Sequence, residues 1–135
     1  MKKIISAAFL LAAVSFAGDW AVVTSPSSPI ASISKADLKR VFTGKKSNIS
    51  GVKIVPFMLA ESNPSAVAFM KDVLGMSPEE YKKYWVDAQV KGEGTAPALQ
   101  KTSATAILVS ADLPGAIAVV DKSAVNATVK DIPVQ

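Results

Sequence analysis

The sequence predicts an α/β domain in which about four helices flank a mixed β-sheet. Short apolar, β-branched runs alternate with segments of helical length. The helical segments open on Ser, Asn or Thr and stop at Gly or at Leu113-Pro114-Gly115. The resulting order, strand, helix, strand, helices, strand, strand, is that of a layered α/β fold.

Residues 20–24 form a β-branched apolar run that ends at Ser25-Pro26-Ser27-Ser28-Pro29, a strand followed by a turn-forming loop. Ser34 then caps a helix with Asp37 three residues on. Ile33 and Leu38 form its hydrophobic staple, and Val41-Phe42 extend the apolar face to Gly44. Residues 45–50 read as polar loop, and residues 52–59 as one short, buried strand. Asn63 and Pro64 open a second helix, whose apolar stripe is Ala66, Val67, Met70, Val73 and Leu74 and whose stop is Gly75. The third begins at the capping box Ser77-Pro78-Glu79-Glu80 and places Tyr81, Tyr84, Trp85 and Ala88 on one face. Residues 91–97 are a glycine-interrupted loop. A fourth helix starts at Thr102 or Ser103 and cannot pass Pro114. Residues 116–120 are the candidate central strand, and residues 127–134 a weaker edge strand, because Pro133 lacks an amide donor.

Met1-Lys2-Lys3, an apolar run to Phe16 and the small residues Ser15 and Ala17 read as a secretory signal peptide over residues 1–17, cleaved after Ala17. The run is too short for a bilayer span, which needs roughly 20 residues. The remaining chain, residues 18–135, then makes one exported domain. The sequence has no cysteine, so neither a lipid-anchoring thiol nor a disulfide is expected. A Gram-negative periplasm is the expected compartment. Without Lys2 and Lys3 the fifteen basic residues become thirteen against eleven acidic ones. They are spread along the chain, which points away from nucleic acid.

With neither histidine nor cysteine, the commonest base, nucleophile and metal ligands are missing. The acids form no ligand-spaced cluster, and Glu79-Glu80 suit the dipole of a helix start without further role. A non-enzymatic protein without metal or cofactor is expected.

Leu38-Lys39-Arg40-Val41-Phe42-Thr43-Gly44, the serine-rich helix start at Ser62, Tyr84-Trp85, Gly92-Glu93-Gly94 and Pro114-Gly115-Ala116-Ile117 follow one another in an order that resembles the phosphate-type substrate-binding proteins of ABC transporters. The resemblance runs from Val22 to the C-terminus. It implies one lobe of a type 2 periplasmic binding protein, a small oxyanion such as phosphate as ligand, and a membrane permease or other envelope protein as partner. In that family a Ser-Gly-Thr turn and an upstream arginine bind phosphate oxygens. Here the matching stretch is Glu61-Ser62-Asn63-Pro64-Ser65, with no arginine nearby, and the long N-terminal segment carrying the family's first ligand loop has no counterpart.

Two loops are candidates for the ligand. Ser62, Asn63 and Ser65 surround a helix start, whose free amides suit an anion, although the same residue types are ordinary caps. Ser25, Ser27 and Ser28 follow the first strand, where α/β folds commonly bind ligands, although Ser and Pro are also default turn residues. Gly92-Glu93-Gly94-Thr95 lacks the Gly-Lys-Ser/Thr ending of a phosphate loop and reads as a turn. Tyr84 and Trp85 read as core, and Arg40 as part of a solvated face. Two functions compete: an exported solute-binding-like module for an oxyanion, and an envelope scaffold or interaction protein built on one lobe without a ligand. A homodimer would join them by rebuilding a cleft between two copies.

Overall fold

Residues 116–120 carry no polar side chain and are buried on both faces, which places them at the centre of a sheet. The computed structural model describes residues 19–135; the expected signal peptide lies outside the described residues. In chain order the elements are β1 (Trp20–Thr24), α1 (Lys35–Phe42), β2 (Asn48–Ile49), β3 (Val52–Lys53), β4 (Val55–Leu59), α2 (Pro64–Phe69), α3 (Pro78–Val90), β5 (Ala98–Gln100), α4 (Ser103–Ala111), β6 (Ala116–Asp121) and β7 (Lys130–Asp131). The main sheet runs β5-β4-β6-β1-β7. β4 is parallel to β5 and β6, whereas β1 is antiparallel to β6 and β7. The sheet is therefore mixed, as the sequence predicts.

Alternation along β6 divides the core. Ile117 and Val119 join Leu38, Phe42, Met58, Phe69 and Trp85 beneath α1, α2 and α3. Ala116, Ala118 and Val120 face the other way and pack with Phe57, Ala106 and Ile107 under α4. Phe42 and Phe69 meet edge to face at 5.1 Å, and each contributes about 2 kcal/mol or more of apolar burial.

The caps form where the sequence places them. Ser34 Oγ accepts from Asp37 N, and Ser77 and Glu80 complete the reciprocal capping box. The predicted face of α3 does more than fill the core. Tyr81 Oη donates to the Phe42 carbonyl and Tyr84 Oη to the Thr43 carbonyl, so α3 satisfies the open C-terminus of α1. Burial pushes the Tyr81 phenol well above its ordinary value, with Trp85 partly opposing the shift and Tyr84 adding to it. Gly44 and Gly94 pack on the Trp85 ring, which makes the Gly-x-Gly loop a packing element.

Four details differ from the expectation. Residues 52–59 are not one strand. Ser50 and Gly51 both take positive φ (53° and 78°) and turn β2 into β3, and the chain joins the main sheet only at Val55. Between the two, Lys53 passes directly over Gly115. Residues 98–100, read as the end of a loop, form the edge strand β5. In the second helix the turn after Phe69 widens into a π-helix over Met70–Leu74. Phe69 is accordingly buried, while Val67 from the expected stripe is 38% exposed. The weak last strand is only Lys130–Asp131, at the sheet edge, followed by a single bridge from Val134 to Ile33.

A Cβ on Gly115 would lie 2.1 Å from the Lys53 carbonyl oxygen, a backbone atom held by the hairpin. Gly115→Ala is expected to cost about 3 kcal/mol in urea unfolding. An unchanged midpoint would contradict this packing.

Candidate functional site

β4, β5 and β6 run in the same direction, so Leu59, Gln100 and Asp121 reach one edge of the sheet together. α2 and α4 start from that edge. Asp121, the first polar residue of β6, is partly exposed there and is met by three side chains from the starts of α2 and α4.

Ser103, the first residue of α4, donates its hydroxyl to Asp121 Oδ2 at 2.8 Å and accepts the Asp121 amide at 2.8 Å. Ser65, in the first turn of α2, donates to Asp121 Oδ1, with the Asp19 carbonyl as a second acceptor 2.7 Å from the same hydroxyl. Asn63 caps α2 through Oδ1, which accepts Ser65 N at 2.7 Å. Its Nδ2 donates to Asp121 Oδ2 over a longer 3.4 Å. Ser65 and Ser103 are buried at 3% and 5% exposure, which fixes their hydroxyls.

Burial raises the Asp121 pKa, but the hydrogen bonds from Ser65, Ser103 and Asn63 together outweigh it and hold the carboxyl below its ordinary range. The carboxylate is therefore ionised at neutral pH. The two ion pairs among the described residues both belong to Asp37, which is bound by Arg40 and Lys46. Arg40 thus lies in a surface pair. Among the described residues no group of acids could hold a metal ion, and no helix is long and apolar enough to cross a membrane.

The structure brings Asn63 and Ser65 together with two residues the sequence reading did not select, Ser103 and Asp121. Ser62 is exposed in the turn before α2. Ser25, Ser27 and Ser28 are not brought to this edge. β1 runs against β6, pairing Trp20 with Asp121 and Val23 with Ala118. The loop after Thr24 therefore lies at the opposite end of the sheet, roughly 15 Å away along the strand. Its hydroxyls have local partners: Ser25 Oγ donates to the Ala111 carbonyl at 3.1 Å, Ser27 Oγ lies 3.0 Å from Ser25 Oγ, and Ser28 Oγ accepts Ile30 N at 3.2 Å. Lys130 Nζ donates to the Ser28 carbonyl.

A concavity lies away from this edge, between α3 and the β4–β5 side of the sheet. It has a volume of about 400 Å³ and is walled mainly by Met58, Leu59, Tyr81, Trp85, Val86 and Leu99. Val86 and Leu99 are 54% and 67% exposed.

No protein-family profile and no curated sequence matches the chain. Solved structures do. A Clostridium perfringens protein assigned as a phosphate ABC transporter substrate-binding protein, solved with bound phosphate, superposes with a TM-score of 0.69 at 19% identity, over 86% of this chain and 44% of that one. An ABC-type phosphate transport receptor from Vibrio cholerae gives 0.65 at 13% identity, over 93% and 53%. PstS from Borrelia burgdorferi gives 0.64 at 16%, over 87% and 47%. The chain has the fold of one lobe of these binding proteins. It spans about half the length of the structures it matches, and at these identities the likeness concerns the fold.

Replacing Asp121 with Asn removes the charge that the three donors satisfy, and is expected to lower stability at pH 7 by about 2 kcal/mol. Because the folded pKa is depressed, the wild-type advantage is full above the unfolded value near 3.9 and disappears as pH falls through the folded value. Urea unfolding of both proteins between pH 7 and pH 2 checks this. A gap that stays constant to the lowest pH would contradict it.

Proposed function

We propose that this protein is an exported solute-binding module of the periplasmic-binding-protein type, which holds a small phosphate-like oxyanion where β4, β5 and β6 end. The observation that carries the reading is the convergence of Asn63, Ser65 and Ser103, three hydrogen-bonding side chains from the starts of two different helices, at this partly open edge. The shared fold with phosphate-binding proteins, one of them solved with phosphate, supports the ligand class. Binding rather than turnover fits a site whose side chains are hydroxyls, an amide and one ionised carboxylate, with no group poised as a general base near neutral pH. A membrane permease is the matching partner for such a module.

Calorimetric titration with phosphate, with sulfate as the comparison, tests the reading. Phosphate is expected to bind, and Ser103→Ala to weaken it about tenfold while leaving the far-UV circular dichroism unchanged. Micromolar affinity would correspond to about 8 kcal/mol. Absence of both heat and thermal stabilisation at millimolar phosphate would overturn it.

The apolar concavity beside β5 favours a second reading, an envelope interaction protein that engages a protein partner there. Leu99→Arg would then abolish recovery of that partner from periplasmic extract without altering phosphate binding. Recovery unaffected by Leu99→Arg would set this reading aside.

A further inference from the structure

Asp121 stands among the donors that an oxyanion would need. A serine hydroxyl has one proton. The proton of Ser103 goes to Asp121 Oδ2, because the same oxygen already accepts the Asp121 amide. The proton of Ser65 goes to Asp121 Oδ1 or to the Asp19 carbonyl. Asn63 Oδ1 accepts from Ser65 N, and its Nδ2 is turned to Asp121 as well. With the carboxylate in place, all three side chains are turned to acceptors that the protein itself supplies, and the Ser103 hydroxyl is committed to the negative charge of Asp121. An incoming oxyanion offers further acceptors and a like charge, and the described cations that form ion pairs do so with Asp37.

We propose that Asp121 is the specificity-determining residue of this site, a resident carboxylate that an oxyanion must displace from Ser65 and Ser103 before it can bind. The inference rests on the oxyanion reading of the site and adds which residue limits it. The wild-type protein discriminates against small anions through its own side chain, and fully ionised ligands suffer most. Removing the carboxylate frees two buried hydroxyls and an amide, already gathered at one edge of the sheet, to donate to the ligand.

This role has a sign that a structural role does not share. A residue that only braces the site weakens binding when it is replaced; a resident competitor strengthens it. Phosphate and sulfate are titrated by calorimetry into the wild type, Asp121→Asn and Asp121→Ser, with circular dichroism confirming the fold of each. The serine variant gives a second reading where asparagine perturbs packing. Phosphate affinity is expected to rise at least tenfold in the variants, and sulfate, which carries no proton at neutral pH, to become measurable. Equal or weaker phosphate binding by folded variants, with the wild type still binding, would overturn the role of Asp121 and leave the oxyanion reading standing. No binding of phosphate by the wild type would overturn the oxyanion reading and the inference with it.

Discussion

The structure depends on the burial of β6 between two strands of opposite direction. β4 lies parallel on one side and β1 antiparallel on the other, while α1, α2 and α3 cover one face and α4 the other. Such a strand needs an unbroken apolar sequence, which Ala116-Ile-Ala-Val-Val120 supplies. It also needs room at its entry, where Gly115 lets the Lys53 carbonyl pass closer than any side chain would allow. The chain has no cysteine to compensate for poor packing, so these two local features decide whether the two halves of the core assemble.

The same strand sets the site. Because β6 ends in Asp121 beside Leu59 and Gln100, the helices that follow β4 and β5 bring Ser65 and Ser103 to its carboxylate. The hydrogen bonds there tie α2, α4 and the sheet together, and they also give the edge its electrostatic character. Parallel strand ends gather binding groups in many α/β proteins. In this chain one of those groups is an anion, which makes charge the dominant quantity in any account of what binds.

Most of the fold is legible in the sequence because most of it is fixed locally. The pairs Ser34 with Asp37 and Ser77 with Glu80, and the stops at Gly75 and Leu113-Pro114-Gly115, are short-range signals that tertiary packing did not override. β5 was not legible: Ala98-Leu99-Gln100 has no β-branched residue, and its strand conformation comes from pairing with β4, about forty residues away. The break at Ile54 was partly legible, since Ser50-Gly51 is a turn dipeptide that signals the hairpin before it, but the apolar residues from Ile54 onward concealed where the chain leaves that hairpin. The site was half legible for the same reason. Asn63 and Ser65 announce themselves at a helix start, whereas Asp121 acquires partners only when residues 56 and 18 positions upstream arrive. A polar residue closing an otherwise apolar strand was the available signal. The serines after Thr24 lie at the far end because β1 runs antiparallel to β6, a strand direction that sequence alone does not give.

Amide NMR spectra recorded as phosphate is added distinguish the edge where Asp121, Ser65 and Ser103 meet from every other surface as the place of ligand binding. Shifts are expected at the amides of Asn63, Ser65, Ala66, Ser103, Ala104 and Asp121, with those of Ser25, Ser27 and Ser28 unmoved. Shifts confined to Ser25, Ser27 and Ser28, or to the α3–β5 concavity, would contradict that placement.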